Sequence, residues 1–302
     1  MTSAGITRGR LHERPRLTVG IVSAGRVGSA LGAAWQRAGH RIVATSAISE
    51  QSRGRAAERL PTAQIATPDE VAARADLLLL AVPDSELAGL IHGLAATGTV
   101  RPGQIVAHTA GSCGVGVLSP LAAVGVLPLA LHPAMTFTGR DEDTARLATC
   151  CFGVTAADEA GWIIAQALVL EVGAEPVQIA EKDRPLYHAA LAHGANHLVT
   201  LVRDAAEVLG GITSDTTPPE RLLAPLLSAA LDNALRHGDR ALTGPVARGD
   251  AETVASHLAV LTEADPAIGA TYRALARRTA QRARSSGLIR ATEARAILEE
   301  LA

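Results

Sequence analysis

The sequence predicts an α/β protein, a doubly wound and mostly parallel Rossmann-type sheet followed by an all-helical domain. Three observations carry that expectation. Short apolar strands alternate with amphipathic helices through roughly the first 180 residues, as repeated βαβ units require. The first strand runs into a glycine-bearing turn, Ser23-Ala-Gly25-Arg-Val-Gly28, and then into a helix. Beyond Lys182 the strand pattern ends, and Leu191, Ala195, Leu198, Val202, Ala205 and Leu209 recur four and three apart. Of the 302 residues 48% are apolar but only 2% aromatic, so the core must be built from Ala, Leu, Val and Ile.

The elements follow in order. Residues 1–16 carry Arg8, Arg10, Arg14 and Arg16 and lack the apolar stretch of a secretory signal, so they read as a disordered tail. Leu17 to Val22 is a buried strand. Val27, Ala30, Leu31, Ala34, Trp35 and Ala38 then mark a helix that stops at Gly39. A strand at Arg41–Thr45 is followed by a polar stretch at Ser46–Arg59, a strand at Asp76–Val82, and a helix with Leu87, Leu90, Ile91 and Leu94. Strands at Gln104–His108 and Val126–His132 come next, and two more, Thr149–Val154 and Glu175–Ile179, flank a helix at Asp158–Leu170. The change of pattern places a nucleotide domain at 17–180 and a helical substrate and dimerisation domain at 181–302.

Composition narrows the function. With 28 basic against 30 acidic residues the net charge is −2, and no basic run is interleaved with aromatics, which argues against nucleic acid. From Pro102 to Gly139 there is no charged residue, but glycines and prolines interrupt the stretch too often for a membrane span. Cys113, Cys150 and Cys151 form neither a CxxC pair nor a disulfide framework, as expected of a reducing cytoplasm.

Ser23, Ala24, Gly25, Arg26, Val27 and Gly28 stand where a helix N-terminus would meet a pyrophosphate. Ser23 occupies the position of the first glycine of GxGxxG, where positive φ is resisted by a side chain. At the end of the second strand, where an NAD site places a carboxylate, stand Ala44, Thr45 and Ser46. Hydroxyls of Thr45 and Ser46 with a guanidinium from Arg53 or Arg55 would suit a 2′-phosphate, so NADP is the expected cofactor, with Glu50 opposing. Val82, Pro83, Thr109 and Gly111 lie at strand ends next to the expected nicotinamide, and Ser112 and His132 stand ready for substrate. Pro83-Asp84 also reads simply as a helix start.

Lys182 is the one lysine of the chain and could polarise a carbonyl or deliver a proton; it also reads as a surface residue. Tyr187, His188 and Asn196 follow on one helix, with Lys182, His188 and Asn196 the candidate catalytic groups and Tyr187 a substrate contact. His193 and His197 share a helix face, but no third ligand is signalled and no metal is expected. Thr243, Gly244 and Arg248 form a loop that could hold a substrate carboxylate, and His257 reads as a core histidine with a partner.

Ala81-Val-Pro-Asp84, His108-Thr-Ala-Gly-Ser112, Leu131-His-Pro133, Tyr187-His-Ala-Ala with Asn196, and Leu242 through Asp250 with His257 together resemble a bacterial family. That family joins an N-terminal Rossmann-like domain to a C-terminal domain of unknown function, number 2520, within the 6-phosphogluconate dehydrogenase C-terminal-like superfamily. The likeness covers residues 17–285. The family is similar in layout to ketopantoate, pyrroline-5-carboxylate and coenzyme F420-dependent NADP reductases, which implies a cleft between domains and dimerisation through helices. Those reductases often carry a catalytic Lys four residues before an Asn; here Lys182 and Asn196 are fourteen apart with Pro185 between, leaving His188 or Asn196 as substitutes.

The resulting expectation is an NADPH-dependent reductase of a small anionic oxo acid or imine, with ketopantoate as the named substrate. The alternatives are a non-catalytic dinucleotide-binding regulator or scaffold, and a metal hydrolase built on His193 and His197. A homodimer is expected from the stripe Leu222, Leu223, Leu226, Leu227, Ala230 and Leu231.

Overall fold

The computed structural model describes residues 16–213 and 216–302. The predicted tail, but for Arg16, lies outside the described residues; the Arg16 guanidinium donates to the carbonyl of Ala38.

Apolar runs too short for helices become the strands, and the amphipathic runs between them cover both faces. In order they are β1 (Thr18–Val22), α1 (Arg26–Arg37), β2 (Arg41–Thr45), α2 (Glu50–Arg59), β3 (Gln64–Ile65), α3 (Pro68–Arg74), β4 (Leu77–Leu80) and α4 (Asp84–Thr97). There follow β5 (Ile105–His108), α5 (Ser119–Ala122), β6 (Leu127–Pro133), α6 (Glu142–Arg146), β7 (Cys151–Ala156), α7 (Glu159–Glu171), β8 (Glu175–Gln178) and α8 (Arg184–Gly210). The eight strands form one sheet in the order β3-β2-β1-β4-β5-β6-β7-β8. All neighbours are parallel except β6 and β7, which are antiparallel with His132 opposite Gly153. The reversal of strand order beside β1 makes the switch point at which doubly wound sheets bind ligands.

Two core clusters lie on the two faces of this sheet, one around Ile21, Trp35, Leu79 and Phe152, the other around Val22, Leu78, Leu87 and Ile91. Trp35 donates its indole N–H to the carbonyl of Leu168 at 3.1 Å, and His40 meets Glu171 at 2.7 Å, so α1 and its exit are joined to α7. Within the predicted polar stretch, residues 50–59 are helical because Ser49 caps them, accepting the Ser52 N–H at 3.1 Å. The sequence reading missed β3 and α3; the latter starts at Pro68, with Glu70 accepting the Thr67 N–H at 3.0 Å.

The chain divides into two compact units between Ala192 and His193, inside α8. The first turns of α8 stay with the sheet because Arg184 and Tyr187 are held by its strands, as described below. The second unit is helical: after the end of α8 come α9 (Glu220–His237), α10 (Gly244–Arg248), α11 (Ala251–Ala264), α12 (Pro266–Ser285) and α13 (Ala291–Glu300). Val254, Ala280, Ala283, Ile297 and Leu301 form its core. No helix among the described residues is long and apolar enough to cross a membrane.

Candidate functional site

The chain must turn from β1 into α1 within three residues, and Ser23 makes that turn with φ +80°. Among the described residues it is the one non-glycine in the left-handed region. The strain is offset by two hydrogen bonds from the loop after β2: the Ser23 N–H donates to Ser46 Oγ and the Ala24 N–H to the Ser46 carbonyl, both at 2.8 Å. Gly28 is required for packing, since a Cβ there would lie 2.2 Å from the Ser23 carbonyl oxygen. Ala24 is buried, while Arg26 and Val27 open α1, whose cap residue Gly25 leaves the first amides without a side-chain cap.

These turns enclose a cavity of about 620 Å³ whose wall includes Ser23, Gly25, Ser46, Ser49, Arg55 and, from the turn after β4, Val82 with Pro83. The local chemistry suits a dinucleotide phosphate: free helix-start amides, several hydroxyls and a guanidinium. Arg55 donates through Nε to the Ala24 carbonyl at 3.3 Å and has no carboxylate partner among the described residues.

Thr45 and Arg53 depart from what the sequence predicts. Thr45 is fully buried and spends its hydroxyl on the Ile21 carbonyl at 3.0 Å, so it does not face the cavity. Arg53 is exposed, does not line the cavity, and donates to the Ala47 carbonyl at 3.4 Å; Arg55 takes the place expected for either arginine. Glu86 of α4, which sequence reasoning passed over, also borders the cavity.

Further along the same carboxyl edge the structure brings together residues from β5, β6 and α8. Gly111 lies against two imidazoles: a Cβ there would stand 2.9 Å from His132 Nε2 and 2.5 Å from His188 Cδ2. The two rings are edge-on at 5.8 Å between centroids, and Tyr187 meets His132 Nδ1 through its hydroxyl at 2.9 Å. Burial first, then the neighbouring His188 and Arg184 charges, push His132 down to about 4. Ser112 donates its hydroxyl to Asp84 at 2.7 Å, which leaves its lone pairs to accept. Thr109 is buried at the start of this loop.

Beneath the cluster lies a group that the sequence reading did not single out. Arg184 is fully buried and donates to Thr155 Oγ1 at 2.7 Å and to the carbonyls of Ala130 and Gly153 at 3.1 and 3.0 Å, fixing β6 to β7. Its guanidinium lies 5.7 Å from the centre of the Tyr187 ring. Glu181 accepts the N–H groups of Val115 and Gly116 at 2.8 and 3.0 Å and so ties the loop after β5 to the chain before α8. His108 is buried, with Nε2 on the Gly114 carbonyl at 2.9 Å, and burial pushes it down to about 4 against the effect of that bond.

The remaining candidates lie in other parts of the chain. Lys182 is exposed in the turn before α8. Asn196, Thr243, Gly244 and Arg248 belong to the second unit, where Asn196, Thr243 and Arg248 are exposed and Gly244 has φ +86°. His193 and His197 face each other at 3.0 Å, and no group of three metal-ligating side chains occurs among the described residues. His257 meets Tyr272 at 3.3 Å, but it is exposed and so is not the core histidine expected. The second unit also holds an apolar cavity of about 490 Å³ bordered by Thr243, His257 and Tyr272.

Residues 4–133 match the Rossmann-like domain and residues 150–279 match DUF2520, a domain of unknown function. The chain joins a Rossmann-like domain to a DUF2520 domain. Solved structures share the fold of this Rossmann-like/DUF2520 chain. A candidate NADP oxidoreductase from Bacteroides fragilis is 24% identical, with 87% of this chain and 98% of that chain covered and a TM-score of 0.75. A reductive aminase from Aspergillus terreus in complex with NADPH and ethyl-5-oxohexanoate is 17% identical over 91% of this chain and 99% of that one, with a TM-score of 0.62. Pyrroline carboxylate reductase from Plasmodium falciparum with NADP bound is 12% identical over 86% and 98%, with a TM-score of 0.55. No curated protein matches the Rossmann-like/DUF2520 chain.

Proposed function

We propose that the chain is an NADP-dependent reductase acting on the C=O or C=N bond of a small molecule. One observation carries the reading: the Ser23–Gly28 turn with its cavity and the Gly111, Ser112, His132, His188 cluster lie on the same carboxyl edge of one sheet. The residues present fit the cofactor, since Gly28 admits a close turn and Arg55 offers a guanidinium with no carboxylate partner among the described residues. NADPH, when bound, supplies a hydride. Ser23, Gly25, Ser46 and Arg55 would hold its phosphates, while Val82, Pro83, Thr109 and Gly111 would border the ring. Ser46 and Arg55 favour a 2′-phosphate over a bare ribose, which is why NADP is proposed over NAD.

On the substrate side His188 belongs to the cluster and is the leading catalytic candidate, with Lys182 and Asn196 as the other two. Thr243, Gly244 and Arg248 are proposed for a substrate carboxylate. Ketopantoate represents the oxo-acid branch of this reading. The imine branch has added support from the names of two fold neighbours, a pyrroline carboxylate reductase and a reductive aminase.

The test follows NADPH oxidation at about 340 nm across a panel of small oxo acids and imines, with ketopantoate included. Turnover on one member, lost by about 10²–10⁴ in His188→Ala, Lys182→Ala or Asn196→Ala with NADPH affinity retained, supports the reading. Tight NADPH binding without turnover on any member favours a dinucleotide-binding regulator instead.

A further inference from the structure

His132 stands at the carboxyl end of β6 with one ring nitrogen engaged. Its Nδ1 meets the Tyr187 hydroxyl at 2.9 Å, and Nε2, which lies against Gly111, has no protein partner among the described residues. A phenol is a donor that keeps its proton at neutral pH, and burial raises the Tyr187 hydroxyl further. When the phenol donates to Nδ1, the imidazole proton must sit on Nε2.

We propose that Tyr187 is a positioning residue that holds His132 in its Nε2–H form, so that His132 presents a neutral hydrogen-bond donor over Gly111 to the oxygen or nitrogen of the substrate's reducible bond. The inference deepens the reductase reading and rests on it for the identity of the acceptor. Negative charge grows on that atom as hydride reaches carbon, and a donor fixed there in advance stabilises it. A neutral imidazole is a known solution to polarising a carbonyl.

Four features support the assignment. Gly153, opposite His132 across the β6–β7 pair, leaves room for the phenol: a Cβ there would lie 2.4 Å from the Tyr187 oxygen. Arg184 holds both strands through the carbonyls of Ala130 and Gly153, so the phenol and imidazole are mounted on one braced frame. Gly111 lets both imidazoles pack close, since a Cβ there would collide with His132 Nε2 and with His188. The charged and titratable groups around the ring are His188 and Arg184 from α8, His108 from β5 and Asp84 from α4. Burial, His188, Arg184 and His108 keep the imidazole neutral well below pH 7, with Asp84 acting in the opposite direction.

The experiment uses the intact chain labelled with ¹⁵N-histidine, with the His132 signals assigned by their loss in His132→Gln. At pH 7 the long-range ¹H–¹⁵N pattern should be that of a neutral ring protonated on Nε2, and in Tyr187→Phe a substantial share of Nδ1–H should appear. A wild-type His132 protonated on Nδ1, or on both nitrogens, overturns the proposal without any variant. So does a Tyr187→Phe protein with folded spectra and an unchanged tautomer. These readouts need no turnover, so failure of the reductase reading would leave them standing. On a substrate found by the NADPH panel, His132→Gln should lower kcat by about 10²-fold and Tyr187→Phe by about 10-fold, with KM little changed. Unaltered kcat in His132→Gln would remove the donor role.

Discussion

Ser23 donates its backbone N–H to the hydroxyl of Ser46 at 2.8 Å, so the turn after β1 depends on a side chain at the end of β2. The same serine lines the cavity and is therefore committed both to the fold and to any ligand there. Its hydroxyl hydrogen remains to be donated to a phosphate while its oxygen accepts from Ser23.

Two variants separate those roles. Ser46→Ala leaves the Ser23 amide without its partner and should cost about 1–2 kcal/mol of stability together with a loss of NADPH affinity. Ser23→Gly should instead stabilise. A left-handed backbone costs a residue with a side chain about 1–2 kcal/mol, and glycine returns about 0.5–1 of this through its freer unfolded chain. Urea titration of both proteins is the check, and a Ser23→Gly protein less stable than wild type would contradict the strain at this turn.

Arg55, not Arg53, should govern cofactor choice. Arg55→Ala is expected to weaken NADPH binding by about 1.5–3 kcal/mol and leave NADH binding nearly unchanged. Arg53→Ala should alter neither by more than a few tenths. Fluorescence titration of both cofactors decides it; equal wild-type affinities for NADPH and NADH would defeat the assignment.

Stability should fall on mild acidification. His108 and His132 are held neutral down to about pH 4, whereas in the unfolded chain they protonate near the usual 6.5. Between those values the unfolded state binds more protons, so stability rises with pH across the window and is lost as pH drops through it. The buried His108 accounts for up to about 3 kcal/mol and the half-buried His132 for less. Denaturation curves at pH 7 and 5 should show the loss, and His108→Asn should reduce it.

The second unit should bring two copies together. Leu222, Leu226, Leu231 and Leu235 of α9 are at least half exposed, whereas Leu223 of the same helix is buried. An apolar face of that kind seldom remains in water. Light scattering is expected to return twice the 31.0 kDa chain mass, and Leu226→Glu with Leu231→Glu should shift it to the single chain. A wild-type monomer at micromolar concentration would refute the expectation.

The alternation of strands and helices was legible because parallel strands buried on both faces leave continuous apolar runs such as Leu77–Leu80. The strand ends followed from it, and with them the positions of Ser23, Val82, Gly111 and His132 on one edge. What could not be read was pairing. Nothing local announces that β7 runs against β6, yet that reversal puts Gly153 beside His132 and gives Tyr187 its place. Side-chain direction was equally hidden: Thr45 and Ser46 are adjacent, but alternation along a strand end turns one hydroxyl into the core and the other toward the cavity. Arg184 carries no sequence signal of its role, and its hydrogen bonds to Thr155 and to the carbonyls of Ala130 and Gly153 explain its burial.

The match to the Rossmann-like domain stops at residue 133, but the sheet does not. Trp35 hands its indole proton to Leu168, and His40 finds Glu171, each across more than a hundred residues of chain. The sheet and its packing therefore involve more of the chain than the Rossmann-like match covers. A protein cut after β6 would present that strand as a raw edge and would leave Trp35 without the carbonyl that satisfies it. Such an edge is a template for self-association, so truncation there should yield aggregate rather than a smaller nucleotide-binding domain.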